Sequence, residues 1–425
     1  MFELWQDYGV TVVCFAAVIF CLWQTHHLKK DFFNPSNVYV FAQCLTLGIA
    51  YLKLDRHMSD FEFKTWLVWG GALFSFIAGA CVYYFVSKED AQDHICTEIV
   101  GYDCKRHFAV SLVLLAVFFA GAVSMTVQAG SLIILASDMA EKVSSKAGYS
   151  LFASLAVALS PVVVLFFCVL AFKSVNPHRA IRIVSRIVVA VVPVIGVCVY
   201  PSRTSLFLSL AFVLILYNFL GKRISIRAIV GALLLALVLF VSVALVRSQY
   251  GSRTIEGMAA RTAMSIPYMY VANNYWNLDY MVNSPTDRER HPFTYGVDAL
   301  YGVFEYTRLP GSIRNSMRWD GMFNESVIKL PGYNTTGYLW EVYKDFGILG
   351  TVLFPFFASF FMTYLFERMK RKKSPRLWML YTMLLYYVGW WFFLAGYKFG
   401  YFWLWILLIF VGTKICERRD FANEG

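Results

Sequence analysis

Residues 331–350, PGYNTTGYLWEVYKDFGILG, close a long polar interruption that begins at Arg247 in an otherwise apolar chain. Outside it the sequence is built of apolar runs: 59% of all residues are hydrophobic and 15% charged, with positive mean hydropathy. That balance belongs to a polytopic membrane protein. Windows long enough to cross a bilayer lie at about 8–25, 37–54, 63–86, 108–127, 148–172, 183–200, 204–220, 227–246, 345–366, 376–395 and 400–416. The expectation is an all-α polytopic membrane protein with about 11 transmembrane helices and a single membrane domain over 1–425. Residues 247–344 then form a long external loop between helices eight and nine, with short amphipathic helices near 257–282 and 294–309.

Charge orients these windows. Basic residues cluster in alternate connectors: HHLKK (26–30), CKRH (104–107), KSVNPHRAIR (173–182), GKRISIR (221–227), ERMKRKK (367–373) and ERR (417–419). Lys and Arg collect in cytoplasmic loops, so the N-terminus and the long loop are expected outside and the C-terminus in the cytoplasm. The net charge of +11 is therefore a topology signal first. No basic segment precedes the first apolar run, so no cleavable signal peptide is expected. Asn34-Pro35 reads as a helix start. Cysteines scattered through apolar runs read as buried thiols, without a disulfide framework.

Several chemistries have no signature here. There is no Walker A sequence, no HExxH and no GxSxG. Asp-x-Asp is absent too, with Asp60-x-Glu62 and Asp287-x-Glu289 the nearest approaches. His94, Cys96, Cys104 and His107 form a mixed set whose spacing fits no common zinc site, and polar loop residues are the better reading. The spanning windows carry almost no acids or bases, which weighs against an ion-coupled transporter. Segment 127–148 reads either as a short interfacial helix or as the frayed end of the fourth span.

The long loop itself carries eight Arg against Lys329 and Lys344, with aromatics such as Tyr275, Trp276 and Tyr280. Its acids roughly cancel its bases, so no nucleic-acid partner is expected. Guanidinium groups grip phosphate bidentately, and rings stack on sugar faces. Arg203 and Arg247 fall at the outer mouths of helices seven and eight, where a snorkelling anchor is one reading and a clamp on a lipid diphosphate another. Arginines there would stabilise a departing diphosphate, and a positioned base would deprotonate the acceptor hydroxyl. His291 is the loop's single histidine; Asp298, Glu305, Asp320, Glu325 and Asp345 are its carboxylate candidates.

FFNPSNVYVF (32–41), YPSRTSLF (200–207), LVRSQ (245–249) and NTTGYLWEVYKDFGILG (334–350) together resemble the bacterial O-antigen polymerase family, the oligosaccharide repeat-unit polymerases of the Wzy type. The resemblance runs over essentially the whole chain and lies in the combination, since each motif alone is degenerate. It implies a metal-independent, cofactor-free, inverting glycosyltransferase of GT-C-like architecture. Such an enzyme moves a growing glycan from undecaprenyl diphosphate onto a lipid-linked repeat unit, at the periplasmic face of the inner membrane. Undecaprenyl-diphosphate-linked donor and acceptor and membrane lipids would be its partners, and a polysaccharide chain-length regulator works beside family members. The diphosphate would fall to Arg203 and Arg247, with Arg253 and Arg261 as helpers. Tyr295, Asn334, Thr335 and Tyr338 would meet the sugars, and His291 and Asp345 would be catalytic. Gly347 and Gly350 are expected to permit close helix packing.

The chain departs from the related O-antigen ligases, which carry a His before their GxxG segment; Tyr333-Asn334-Thr335 stands there instead. Loop spacings described for some polymerases are near misses, Arg247 to Gly257 and His291 to Gly302. A ligase of the same architecture and a lipid-linked oligosaccharide flippase are the alternatives. A flippase would need polar residues deep in its spans and short loops.

Overall fold

A computed structural model of the chain describes residues 2–28, 31–54, 58–87, 102–135, 149–200, 203–249, 259–283, 293–297, 299–303, 335–372 and 374–417. The described residues are helical and joined by short turns; an isolated bridge pairs Tyr102 with Glu417. In chain order the helices are α1 (Phe2–His27), α2 (Pro35–Ala50), α3 (Phe63–Ser87), α4 (Cys104–Ala129), α5 (Leu151–Val157), α6 (Ser160–Leu170) and α7 (Arg179–Val199). There follow α8 (Arg203–Leu220), α9 (Ile226–Gln249), α10 (Ala259–Asn283), α11 (Tyr338–Arg371), α12 (Pro375–Trp390) and α13 (Gly400–Cys416). Every apolar window of the sequence coincides with a helix or, at 148–172, with two. Among the described residues six segments are long and apolar enough to cross a membrane: Tyr8–His27, Phe63–Ser87, Cys104–Ala129, Leu151–Leu170, Arg179–Val199 and Tyr338–Arg371. Their outward faces expose large apolar side chains, among them Val13, Phe74, Val123, Val194 and Phe357. Such faces suit lipid rather than water. The chain is an all-α membrane protein.

It divides into two compact units, each assembled from distant stretches. One comprises residues 1–91, 265–367 and 387–403; the other comprises 92–264, 368–386 and 404–425.

In the first unit, Asn34 caps α2, its side chain accepting from the Ser36 N–H at 3.0 Å, with Pro35 in the first turn. The expected Asn-Pro start is therefore present. Gly48 of α2 lies against Cys14 and Phe15 of α1. Tyr39 stacks on Phe76 of α3, ring centroids 3.9 Å apart, and Gly79 of α3 meets the Phe356 carbonyl of α11. The centre of the unit is α10, which was expected as a short amphipathic piece of an external loop. It runs for 25 residues, and almost every position from Tyr268 to Val282 is buried or nearly so. Its polar residues are inside because they are paired. Asp279 accepts from Thr65 at 2.6 Å, Asn283 at 3.0 Å and the Glu62 N–H at 3.2 Å, while Tyr275 shares a 2.7 Å hydrogen bond with Thr46. Polarity in this stretch records internal partners, not exposure.

The second unit is organised on α6, whose residues are all buried. Gly121 of α4 contacts Ala156 of α5, Gly196 of α7 contacts Ser160, and Gly412 of α13 lies on the Phe166 ring. The Trp405 indole N–H reaches the Ala158 carbonyl at 3.0 Å. Phe212 and Phe219 of α8 meet Tyr386 and Tyr381 of α12 edge-on. The break between α5 and α6 precedes Pro161, which has no N–H to continue the ladder. Gly130 ends α4 in the left-handed conformation, φ 72°, and a 3₁₀ turn follows at Ile133–Leu135; residues 136–148 lie outside the described set.

Cys104 and His107 are not loop residues but open α4. The Cys104 thiol donates to the Val175 carbonyl at 3.1 Å, and the fully buried His107 pairs through Nδ1 with the Tyr102 hydroxyl. Among the described residues no group of three His, Cys, Asp or Glu side chains is placed to hold a metal; His94 and Cys96 lie outside them.

Candidate functional site

The segment from Thr335 to Gly350 is where the first unit concentrates its buried charge. Thr335 is held by two asparagines one turn apart on α10: Asn273 donates to its hydroxyl and Asn277 to its carbonyl, both at 2.8 Å. Gly337 follows against the main chain of Trp391 and Phe392, where an added Cβ would stand 2.6 Å from the Phe392 carbonyl oxygen. That close approach lets the Tyr338 N–H reach the Trp391 carbonyl at 2.8 Å. Tyr338 stacks on the Trp391 ring, centroids 4.6 Å apart, and shares its hydroxyl with Tyr39.

One helical turn later come Glu341, Lys344 and Asp345, at i, i+3 and i+4, hence on one face. All three are buried. Lys398, from the turn before α13, donates to both Glu341 oxygens at 2.9 and 3.0 Å. Thr336 adds a bond at 3.2 Å and Lys344 an ion pair at 3.5 Å. The Lys344 ammonium also sits 4.6 Å from the centre of the Trp340 ring, a cation–π arrangement. Two acids and two bases thus form a neutral buried cluster, the arrangement that limits the cost of removing charge from water. Burial, with the Glu341 and Asp345 carboxylates nearby, pushes the Tyr397 phenol well above its ordinary range. Of these charges Glu341 and Lys344 precede the expected apolar window 345–366, and Asp345 opens it.

Asp345 has its carboxylate engaged on both oxygens, by the Thr294 hydroxyl and by the Ala299 N–H at 3.1 Å. Its main-chain oxygen accepts the Tyr295 N–H at 3.1 Å. It pins the 293–299 turn to α11, and Tyr295 projects from that turn, 76% exposed, at φ 49°. Residues 301–303 are helical within the stretch expected as an amphipathic helix. Two residues past Asp345, Gly347 takes φ 62°, ψ −149° and kinks α11. This conformation is essentially closed to other residues. Gly347 is thus a bend, with the Phe293 ring lying where its side chain would be. Gly350 lies just beyond, close to the Val342 carbonyl.

Of the sequence-derived candidates, the structure brings Thr335, Tyr338 and Asp345 into one segment. Arg203 opens α8 and Arg247 lies in the last turn of α9. Because residues 221–225 alone connect these helices, both arginines occupy the ends remote from that turn. Arg261 lies in the first turn of α10. Arg253, His291 and Asn334, with Asp298, Glu305, Asp320 and Glu325, lie outside the described residues. Sequence reasoning missed Glu341, Lys344 and Lys398 as a cluster, and it missed Asn273 and Asn277. The i, i+3, i+4 spacing of the first pair with Asp345, and the i, i+4 spacing of the asparagines, were the available signals.

No family model matches the chain, and no curated protein or solved structure is similar to it. The functional reading therefore rests on residues and geometry.

Proposed function

We propose that the chain polymerises lipid-linked oligosaccharide repeat units into a surface polysaccharide such as O-antigen. It does so by metal-independent, inverting glycosyl transfer from undecaprenyl diphosphate at the periplasmic face of a bacterial inner membrane. The observation that supports this most directly concerns 334–350, the longest motif of the resemblance. From Thr335 on it is a buried polar segment, with paired charges and an aromatic neighbour, at the head of a membrane-length helix. Ionisable side chains in a membrane-length helix mark a functional site as the default hypothesis.

In this reading Arg203 and Arg247, with Arg253 and Arg261, receive the diphosphate and stabilise its negative charge as the glycosidic bond breaks. The acceptor hydroxyl attacks the anomeric carbon from the opposite side, its proton passing to a base for which His291 and Asp345 are the candidates. The bonds on both Asp345 oxygens make it a positioning group first. A base role for it requires the Thr294 contact to open.

The test is incubation of purified protein with lipid-linked repeat units in detergent, followed by separation of products by length. Elongated products are expected, unaffected by EDTA. Arg203→Ala and Arg247→Ala are each expected to abolish them while the protein still inserts in the membrane. Full-length ladders from both variants would remove the clamp, and loss to EDTA restored by a divalent ion would indicate metal-dependent transfer. Absence of any elongation by the wild-type protein would overturn the reading.

A further inference from the structure

Beside the charged cluster, in the same unit, lies a crevice bordered by Gln43, Asn274, Gly337, Tyr338, Trp391 and Phe392. Its empty volume is about 230 Å³ including its open side, and its narrow interior has room for about one water or one hydroxyl. Two of the bordering side chains are amides with an atom that has no hydrogen-bond partner among the described residues. Gln43, 2% exposed, receives the Tyr275 hydroxyl on Oε1 at 3.4 Å, and its Nε2 is unpartnered. Asn274, 3% exposed, spends its Nδ2 on the Tyr270 carbonyl at 2.6 Å, and its Oδ1 is unpartnered. The bond to that carbonyl fixes which way the Asn274 amide faces.

One free donor and one free acceptor on the wall of a small cavity define the complementary group. Leaving such atoms dry costs about 1–3 kcal/mol each, so a ligand that satisfies both is favoured. A hydroxyl does this with a single oxygen, accepting from Gln43 and donating to Asn274. A phosphate oxygen only accepts, so it would meet the Asn274 carbonyl oxygen with repulsion; an ammonium only donates and fails at Gln43. The rest of its border is aromatic and aliphatic residues, Leu278, Tyr338, Trp391 and Phe392 among them, suited to the C–H face of a ring.

We infer that this crevice is a subsite for a ring hydroxyl of a neutral sugar. Resting on the glycosyl-transfer reading, the inference gives that site its acceptor-side specificity, with Tyr338 as a wall rather than a hydrogen-bonding partner. The full-length protein, in a detergent without sugar head groups, is mixed with methyl gluco-, galacto- and mannopyranoside, and saturation-transfer NMR reads binding. At least one is expected to bind, and its monodeoxy analogue at one position is expected to bind at least ten-fold more weakly. Gln43→Leu and Asn274→Leu are each expected to weaken binding by a similar factor. The deoxy series needs no variant, so it decides even if a substitution prevents folding.

No transfer to any of the three sugars, equal binding of every deoxy analogue, or displacement of the sugar by inorganic pyrophosphate would overturn the inference. Binding without elongation activity removes the polymerase reading and leaves the subsite. Elongation that persists unchanged in both folded leucine variants removes the subsite and leaves the polymerase.

Discussion

Glu341 is the carboxylate on which two lysines of the first unit converge. It is bonded by Lys398 on both oxygens and by Thr336, with Lys344 3.5 Å away. Its own side chain is 5% exposed and that of Lys398 17%. Removing one partner of a buried pair costs about 3–5 kcal/mol, whereas replacing both with apolar groups of similar volume is often close to neutral. Glu341→Ala should therefore lower the midpoint of thermal unfolding sharply, since two ammonium groups lose their common carboxylate. Lys398→Met alone should also destabilise. The Glu341→Met, Lys398→Met double variant should recover part of the loss, a coupling readable in a double-mutant cycle. Strict additivity of the two single effects would mean that the pair does not interact as the distances imply. The same site explains why single residues were hard to read in the sequence. Lys398 follows Glu341 by 57 positions, and no local pattern links them. Asn34, by contrast, caps the helix that begins at the very next residue, and its role was legible in the dipeptide Asn34-Pro35.

At the scale of elements, the sequence conveyed where helices lie better than what surrounds them. Apolar windows marked α1, α3, α4 and α7 closely because lipid or core on every side favours an uninterrupted run. The stretch YVANNYWNLDY, 270–280, read as part of a short amphipathic helix in an external loop, with four of its residues Asn or Asp. In the structure these positions are inside, and the partners that permit this, such as Thr65, Glu62 and Thr335, come from the start of α3 and the segment leading into α11. Glycines were equally ambiguous. Gly347 was readable as a small residue for close packing, but its φ of 62° makes it the hinge between the buried head of α11 and the apolar shaft beyond. A side chain there costs about 1–3 kcal/mol for a backbone region essentially reserved for glycine and must also displace the Phe293 ring, 2.8 Å from the added Cβ. Gly347→Ala is accordingly expected to reduce thermal stability and to loosen the 293–299 turn. Faster hydrogen exchange at the Tyr295 and Ala299 amides would report the loosening. Gly70, with nothing within 4 Å of an added Cβ, is the control expected to tolerate alanine. Equal effects at both positions would contradict the hinge.

For the whole molecule, length sets the sharpest test. A helix rises 1.5 Å per residue, and a bilayer's hydrocarbon core is about 30 Å thick. The 25- and 26-residue helices α3 and α4 exceed that by several ångströms. The 16 residues of α2 and of α12 reach only about 24 Å. Eleven crossings therefore require these short helices to span with help from their flanking turns or a locally thinned bilayer, each at modest cost. The basic connectors favour that arrangement, because 26–30, 104–107, 173–182, 221–227, 367–373 and 417–419 share one side when every apolar window crosses, and no longer do so if a single window of the two between successive connectors fails. If α2 stayed within one leaflet, the two Lys at 29–30 and the Lys and Arg at 105–106 would face opposite compartments. The charge asymmetry would then be lost. Reporter fusions decide between the two arrangements. With an odd count, a fluorescent protein at the C-terminus should mature in the cytoplasm, while a tag at the N-terminus should be reachable from the periplasm. Both termini on one side would show that one of the short helices fails to cross. An alkaline phosphatase fusion within 55–62 would then locate the failure, being active if α1 and α2 both cross and silent if one of them does not. Under that expected order the N-terminus is outside, α1 leads in and α2 leads out, so activity at 55–62 is the outcome that keeps all eleven crossings and with them a periplasmic site on the long loop.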